Sequence, residues 1–279
     1  MILIDFTQTV IAGLMAQLKS NDGEINESML RHMILNSLRN YQKRYGPQYG
    51  QIVLCTDASD PWRREFFPLY KANRKKSREA DDKDWKLIFD TLHEVKMEIK
   101  ENFPYKYLEI FGAEADDIIG FLCEENRDEK ILIISGDKDF IQLQKYPNVT
   151  QWSPITKKQV NGFDPTIYLK EHILKGDTSD GVPNVLSPDN TFVDGLRQRP
   201  LSRKKIQSWL LGGGSDWNDE VKRNFQRNST LIDLSRTPEE LKNQIRLEYN
   251  NAPHGDRSKL LNYFMQNKLK ELTENIGEF

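Results

Sequence analysis

Two aspartates, Asp137 and Asp139, stand one residue apart shortly after the apolar run 131–134. Four apolar residues in succession are typical of a strand that is buried on both faces of a parallel sheet. Residues just beyond the carboxyl end of such a strand line the ligand crevice of an open α/β sheet. Two carboxylates this close repel each other unless a cation lies between them. By itself, however, an Asp-x-Asp pair more often belongs to a polar loop with a helix cap. Whether this pair binds a cation therefore depends on which other carboxylates lie near it.

The same arrangement occurs near the start of the chain. Asp5 closes one apolar run and Asp57 follows another, with a helical pattern over 26–45 between them. We expect Gly46 and Pro47 to end that helix. A strand, a helix and a strand in this order imply a right-handed parallel crossover. The carboxylates after all three runs are therefore expected to meet at one edge of the sheet.

Two further acidic groups occur downstream. Glu114, Asp116 and Asp117 directly precede an apolar helical run. One acidic residue would satisfy the helix dipole, and here there are three. Asp177 and Asp180 lie in a glycine-containing turn whose exposed amides could meet a phosphate backbone. A helix-terminating turn is the alternative interpretation of this last segment.

The candidate metal ligands are all carboxylates: Asp5, Asp57, Glu114, Asp116, Asp117, Asp137, Asp139, Asp177 and Asp180. Hard oxygen ligands without cysteine or histidine partners favour Mg²⁺ or Mn²⁺ over zinc. More carboxylates than one octahedral ion needs indicate two ions, an arrangement typical of phosphodiester hydrolysis. The four histidines show no metal-ligand spacing with one another and are expected to be ordinary surface or core residues.

The segment 62–78 has a different character, since its basic residues are interleaved with aromatic ones. The basic residues are Arg63, Arg64, Lys71, Arg74, Lys75, Lys76 and Arg78, and the aromatic residues are Trp62, Phe66, Phe67 and Tyr70. Basic side chains bind phosphates, and aromatic rings stack on unpaired bases. Because the segment follows a strand that ends at the acidic edge, we expect it to form an arch over the site at about 60–84. A solvated loop is the alternative. The candidate nucleic-acid contacts are Arg63, Arg64, Tyr70, Lys71, Arg74 and Lys75.

The composition describes a polar globular protein, with 37% hydrophobic and 29% charged residues and a net charge of -2. Cys55 and Cys123 lie inside apolar patterns and are expected to be reduced core thiols. The chain opens directly into a strand, without a basic leader, a cleavage site or a long apolar span. It is therefore predicted to be cytoplasmic.

The order of elements predicts an α/β fold with a central, mostly parallel sheet flanked by helices. Residues 1–170 would form this metal-binding nuclease domain with its arch, and residues 171–279 a smaller, mostly helical C-terminal domain. The further expected elements are a helix over 85–102, a strand over 105–111, a hairpin over 149–160, a loop over 186–215, and amphipathic helices beyond it.

In their order along the chain, these motifs resemble the 5′-nuclease (flap endonuclease) family, whose fold is PIN-like, and most closely its T-even-type bacteriophage members. The resemblance covers nearly the whole chain. It rests on Leu3-Ile-Asp-Phe6, Asp57 with Trp62-Arg-Arg64, Tyr70-Lys-x-x-Arg74, Glu114-Ala-Asp-Asp117, Ser135-Gly-Asp-Lys-Asp139 and Lys175-Gly-Asp-x-x-Asp180.

The resemblance implies a Mg²⁺-dependent 5′→3′ exonuclease and flap endonuclease with two ions per site, in which Mn²⁺ can substitute. By the same resemblance, Asp5, Asp57, Glu114, Asp117 and Asp137 serve the first ion or its hydration shell, and Asp139, Asp177 and Asp180 serve the second. It leaves open which of Asp116 and Asp117 binds the inner ion. The catalytic set would be Asp5, Asp57 and Asp137, with Arg63 and Lys71 contacting the scissile phosphate.

The implied substrates are branched or flap duplex DNA and RNA–DNA hybrids, and the implied role is RNA-primer removal from the lagging strand. The resemblance also implies that the C-terminal domain, 171–279, binds duplex DNA. The protein would act as a monomer in the cytoplasm of a phage-infected bacterial host. A replication single-strand-DNA-binding protein would dock on the C-terminal domain. The turn after Asp180 departs from the family pattern, because it lacks a second glycine-containing hairpin. We therefore expect weaker or differently made duplex contacts there. The resemblance does not carry over a potassium site to this turn.

Three alternatives bear on the same residues. A haloacid-dehalogenase-type phosphatase needs an acidic residue two positions after its nucleophile, where Thr7 stands. A receiver domain needs about half this length and leaves the basic segment unexplained. A structure-selective DNA-binding protein without catalysis would not need every expected carboxylate, and all of them are present.

Overall fold

A computed structural model describes residues 1–20, 26–74 and 83–279. The predicted nucleic-acid contact Lys75 and the middle of the predicted arch, 75–82, lie outside the described residues. Along the described chain, eleven α-helices and three short 3₁₀ segments alternate with strands.

The sheet has six strands in the order β3-β2-β1-β4-β5-β6. Their bounds are β1 (Ile2–Asp5), β2 (Ile52–Cys55), β3 (Lys106–Leu108), β4 (Ile131–Ile134), β5 (Val149–Ser153) and β6 (Lys158–Gln159). The strands β1 to β5 are parallel to one another, and β6 pairs antiparallel with β5. The predicted parallel sheet and the predicted hairpin over 149–160 are therefore confirmed.

The helices cover both faces of this sheet. Their bounds are α1 (Phe6–Ser20), α2 (Glu27–Tyr49), α3 (Trp62–Phe66), α4 (Trp85–Asn102), α5 (Ala115–Glu125), α6 (Pro165–Lys175), α7 (Arg203–Gly212), α8 (Asp219–Ile232), α9 (Glu239–Asn251), α10 (Leu260–Gln266) and α11 (Lys270–Glu274). The 3₁₀ segments are Asp139–Lys145, Leu234–Arg236 and Ile276–Glu278.

Two local predictions were wrong. Helix α2 continues through Pro47 to Tyr49. The capping residue Gly50 has a φ of 87°, and its N–H donates to the Gly46 carbonyl at 2.8 Å. Proline's fixed φ suits a helix, and in the last turn its missing N–H costs only one hydrogen bond. Helix α7 lies inside the stretch predicted as a loop, where Ser202 caps it by accepting from the Lys205 N–H. Its polar sequence buries only Ile206 and Trp209, so its periodicity is weak.

The strand residues alternate between two cores. Ile2 and Ile4 face one core, where α10 and α11 also pack, and Leu3 faces the other, against α5. This two-sided burial explains the continuous apolar runs. Because α10 and α11 join the first core, the C-terminal helices are packed directly against the sheet. The division of the chain near residue 170 stays a prediction.

Both cysteines are buried and free, as expected. Among the described residues, no helix combines the length and the apolar character that crossing a membrane requires.

Candidate active site

The strand-end carboxylates converge on a cleft at the carboxyl edge of the sheet. Asp5 lies opposite Cys55 in the β1–β2 register, and Ile4 lies opposite Ile134 in the β1–β4 register. Asp57 and Asp137, which follow those partners closely in the chain, therefore emerge beside Asp5. The cleft has a volume of about 410 Å³, and its charged lining consists of Asp5, Asp57, Asp116, Asp137, Lys71 and Arg74.

Short-range hydrogen bonds hold these carboxylates in place. The Ser135 hydroxyl donates to Asp5 Oδ2 at 3.1 Å and accepts from the Asp137 N–H at 3.0 Å. Asp57 Oδ1 accepts from the Ala115 N–H at 3.0 Å, at the start of α5. Three strands and one helix terminus are thus tied together at the edge where the carboxylates meet.

Burial and the closeness of other carboxylates destabilise the ionised forms of Asp5 and Asp116 in the cleft. Burial, followed by the charges of Asp57 and Asp137, raises the pKa of Asp5 from 3.8 to about 8. Burial and the nearby Asp137 raise the pKa of Asp116 well above its ordinary value. Such a group of carboxylates ionises fully only if a cation joins it. The cleft therefore has the donor chemistry of a divalent-cation site.

Asp117 has a different environment from its neighbour Asp116, because consecutive helix residues point in directions about 100° apart. Asp117 is fully buried and accepts from Trp62 Nε1 at 3.2 Å, Arg63 Nη1 at 2.8 Å and Thr237 Oγ1 at 2.7 Å. Burial alone would raise its pKa, but the adjacent guanidinium of Arg63 lowers it below the ordinary value. Both of its oxygens are thus engaged within the protein.

Arg63, a predicted phosphate contact, lies near the start of the arch with only 1% of its surface exposed. Its guanidinium contacts Glu114 at 3.0 Å as well as Asp117, and its Nε donates to the Leu231 carbonyl at 2.9 Å. The neighbouring Arg64, by contrast, has a half-exposed side chain. The structure therefore places Arg63 as the anchor of the arch and leaves Arg64 open to solvent.

The far end of the described arch is joined to two further carboxylates. The Tyr70 hydroxyl contacts Glu114 at 3.0 Å and Asp180 at 2.8 Å, so this buried ring is not presented to solvent. Lys71 Nζ lies 2.5 Å from Glu114, and Arg74 lies 2.6 Å from Asp180. Lys71 has a φ of 58°, a conformation that is costly for a side chain of its size, and its N–H donates to the Asp180 carbonyl at 2.8 Å.

The remaining predicted ligands form a second cluster that includes a residue the sequence did not indicate. His172 lies 3.2 Å from Asp139 and 3.5 Å from Asp177. Asp177 follows Gly176, whose φ is 68° and where an added Cβ would meet the Val182 carbonyl at 2.3 Å. Only glycine fits there, so Gly176 fixes the turn that carries Asp177. The only sign of this in the sequence was that His172 lies near the end of α6, shortly before Gly176 and Asp177.

The nine predicted ligands are thus distributed among three neighbouring environments. Asp5, Asp57, Asp116 and Asp137 line the cleft, Glu114, Asp117 and Asp180 face the cations of the arch, and Asp139 and Asp177 face His172. The role of each in binding metal stays a prediction.

Comparison with known protein families gives two matches that together span the chain. Residues 1–172 match the family described as "5'-3' exonuclease, N-terminal resolvase-like domain". Residues 164–279 match the family described as "T4 RNase H, C terminal". The chain belongs to the 5′-3′ exonuclease family. It is therefore a nuclease, a hydrolase of the 5′-3′ exonuclease and flap endonuclease type, as its motifs indicated.

Individual relatives agree with this membership. The chain is 37% identical to the ribonuclease H of Enterobacteria phage T4 over 99% of this chain and 95% of that protein. It is 31% identical to a 5′-3′ exonuclease of Buchnera aphidicola subsp. Schizaphis graminum over 59% of this chain and 58% of that protein.

Solved structures share the fold. A complex of the bacteriophage T5 flap endonuclease with DNA and metal ions aligns with a TM-score of 0.60, at 17% identity, over 99% of this chain and 97% of that one. Another structure of the T5 protein, co-crystallised with metal ions, aligns with a TM-score of 0.55 at 18% identity, over 99% of this chain and 98% of that one. The predicted fold class is thus confirmed, and related structures contain divalent metal ions.

We expect Arg63→Met to lower the free energy of unfolding by about 3–5 kcal/mol, because it leaves the buried Glu114 and Asp117 without their counter-charge. Arg64→Met is the matched control, because it removes an exposed arginine next in sequence and should leave stability nearly unchanged. Urea unfolding without DNA measures both. A stable Arg63→Met protein that has lost only DNA binding would show that Arg63 is a substrate contact and not the anchor of the arch.

Mg²⁺ should raise the midpoint of thermal unfolding more at about pH 9 than at about pH 6. In the metal-free folded protein, Asp5 keeps its proton up to a pKa of about 8, whereas the unfolded chain releases it near 3.8. This raised pKa means that stability is lost as the pH rises between those values, and Mg²⁺ offsets the loss by replacing the proton. Unfolding scans with Mg²⁺ or EDTA at both pH values test this. Equal Mg²⁺-induced shifts at the two pH values would contradict it.

Proposed function

We propose that this nuclease is a Mg²⁺-dependent 5′→3′ exonuclease and flap endonuclease that uses two ions. In this proposal it removes RNA primers from RNA–DNA hybrids, with the adjacent DNA, during lagging-strand replication. The observation that carries the proposal is the cleft in which four carboxylates of the sheet edge lie beside Lys71 and Arg74. Metal-binding oxygens and phosphate-binding cations are thereby presented to the same substrate.

The donor set of the cleft fits a hard divalent cation, because every acidic group in it offers oxygen, and burial together with the neighbouring carboxylates raises the pKa of Asp5 and of Asp116. With a second ion at the neighbouring cluster of Asp139 and Asp177, an ion bound in the cleft would supply an activated water and charge stabilisation on the leaving oxygen. Asp5, Asp116 and Asp137 would hold the inner ion, with Asp57 beside them. Asp116 is favoured over Asp117 because Asp117 is already engaged by Trp62, Arg63 and Thr237.

The protein's own cations would position the scissile phosphate. Lys71 and Arg74 line the cleft, and each is held in direction by Glu114 or Asp180. Burial lowers the pKa of Lys71, but the charges of Asp180 and Glu114 more than offset this and raise it, so the amine stays cationic. Since the net charge of the chain is -2, attraction for DNA depends on local groups of cations such as this one and on the bound ions, and not on the charge of the chain as a whole.

The C-terminal part, 171–279, is proposed to contact duplex DNA and a replication single-strand-DNA-binding protein. Its first turn is rigidly held, because Asn228 Nδ2 donates to the carbonyls of Ile173 at 2.8 Å and Pro183 at 2.9 Å. The structure of a T5 relative with DNA and metal ions supports nucleic acid as the ligand class. We further propose a monomer acting in the cytoplasm of an infected bacterial host, in keeping with the phage T4 relative.

Cleavage of a 5′-labelled DNA flap and of an RNA–DNA hybrid, with Mg²⁺ or with EDTA, tests the proposal. We expect short products from the 5′ end that require Mg²⁺. Asp137→Asn should reduce cleavage at least about 100-fold, because metal-assisted charge stabilisation is worth several kcal/mol, while DNA binding persists. Asp128→Asn is the matched control and should cleave normally, since Asp128 is exposed in the segment that follows the C-terminal end of α5, whereas the cleft lies at the N-terminal end of that helix.

The alternative outcomes are distinct. Cleavage that continues in EDTA would contradict a metal-dependent mechanism. Metal-dependent binding without cleavage by the unaltered protein would contradict the proposed activity on these substrates. Equal losses in Asp137→Asn and Asp128→Asn would show that the cleft is not the catalytic site.

A further inference from the structure

His172 occupies a position that the carboxylate pattern did not reveal. It stands in the last turn of α6, between the 3₁₀ segment that begins at Asp139 and the turn that carries Asp177. One potential ligand atom from each of these three residues lies within 4.8 Å of the others. Imidazole nitrogen is thus placed among oxygen donors that were expected to bind the second ion.

The two ring nitrogens of His172 have different surroundings. Nε2 faces Asp177 Oδ2 at 3.5 Å. Nδ1 lies 3.2 Å from Asp139 Oδ1, is buried, and makes no aligned hydrogen bond within the described part of the chain. A carboxylate that holds one ring nitrogen fixes the orientation of the imidazole and leaves the other nitrogen available to a metal.

The partners of Asp177 support this division of roles. Its Oδ1 accepts from the Ser179 N–H at 2.7 Å, the Ser179 hydroxyl at 2.6 Å and the Asp180 N–H at 3.2 Å. Only Oδ2 remains, and it faces the imidazole. Asp177 therefore has a single oxygen beside the ring, at 3.5 Å, and is poorly placed to donate several oxygens to an ion.

The spacing between Asp139 and His172 suits neighbouring ligands of one ion. Adjacent ligands on an octahedral ion with bonds of about 2.1 Å lie roughly 3.0 Å apart. The observed separation of Asp139 Oδ1 and His172 Nδ1 is 3.2 Å. Small side-chain rotations would bring both atoms onto the same cation.

We propose that His172 Nδ1 and Asp139 are ligands of the second ion, and that Asp177 acts as a positioning residue through the imidazole. This inference rests on the proposed two-ion function and adds a nitrogen ligand to an otherwise oxygen-only centre. Imidazole strengthens binding of Mn²⁺ and later transition metals, whereas Mg²⁺ prefers oxygen. The second site therefore discriminates in favour of Mn²⁺, while the strand-end cleft remains an oxygen site.

Pulsed electron paramagnetic resonance of the Mn²⁺-loaded full chain tests the inference directly. The unaltered protein should show hyperfine coupling to a histidine ¹⁴N, which changes to the ¹⁵N pattern when histidine is isotopically labelled. This readout needs neither a variant nor catalysis. His172→Gln should abolish the coupling and weaken Mn²⁺ binding at one of two sites about 10-fold, with a change of less than about twofold for Mg²⁺. His93→Gln, which replaces an exposed histidine on α4, is the matched control and should retain the coupling.

The outcomes separate this inference from the function on which it rests. Two bound Mn²⁺ ions without any nitrogen coupling would overturn the inference and leave the two-ion nuclease intact. Coupling that survives in His172→Gln would overturn it as well, because another histidine would be the ligand. Failure of Mn²⁺ and Mg²⁺ to bind the protein at all would contradict the proposed function itself.

Discussion

Repulsion among carboxylates at the carboxyl edge of the sheet is the constraint on which the other features of the site depend. Carboxylates brought together at low dielectric must be neutralised, protonated or bridged by cations. Arg63 pairs with Glu114 and Asp117, Lys71 pairs with Glu114 and Asp180, and Arg74 pairs with Asp180. Asp5 and Asp116 instead show raised pKa values, so the protein's own cations do not fully compensate them. That difference identifies where an external cation stabilises the structure most.

The same compensation connects distant parts of the chain. Arg63 contacts the Leu231 carbonyl as well as the two carboxylates, and Thr237 donates to Asp117. Gln142, just after the Asp139 turn, donates to the Ile232 carbonyl and accepts from the Leu234 N–H. The end of α8 is thus bonded to the base of the arch and to the segment after β4. A displacement of the arch would therefore disturb the positions of the carboxylates and of the C-terminal helices together.

The sequence predicted those features that depend on local pattern. Apolar runs followed by aspartates located β1, β2 and β4 and the acidic edge, because strands buried on both faces leave an uninterrupted apolar signature. It could not separate Asp116 from Asp117, since that choice depends on the rotational phase of α5, which is set by packing. The burial of Arg63 could not be predicted either. A basic segment is expected to be exposed to solvent unless its partners far away in the chain are known. His172 meets Asp139 only through the packing of α6 against the segment after β4.

Anomalous diffraction from crystals grown with Mn²⁺ would test the central claim most directly. The account predicts an ion coordinated by Asp5, Asp116 and Asp137 within the cleft, with Asp117 still bonded to Arg63. An ion coordinated by Asp117, with Arg63 displaced from it, would contradict the separation of the metal-binding carboxylates from those that anchor the arch.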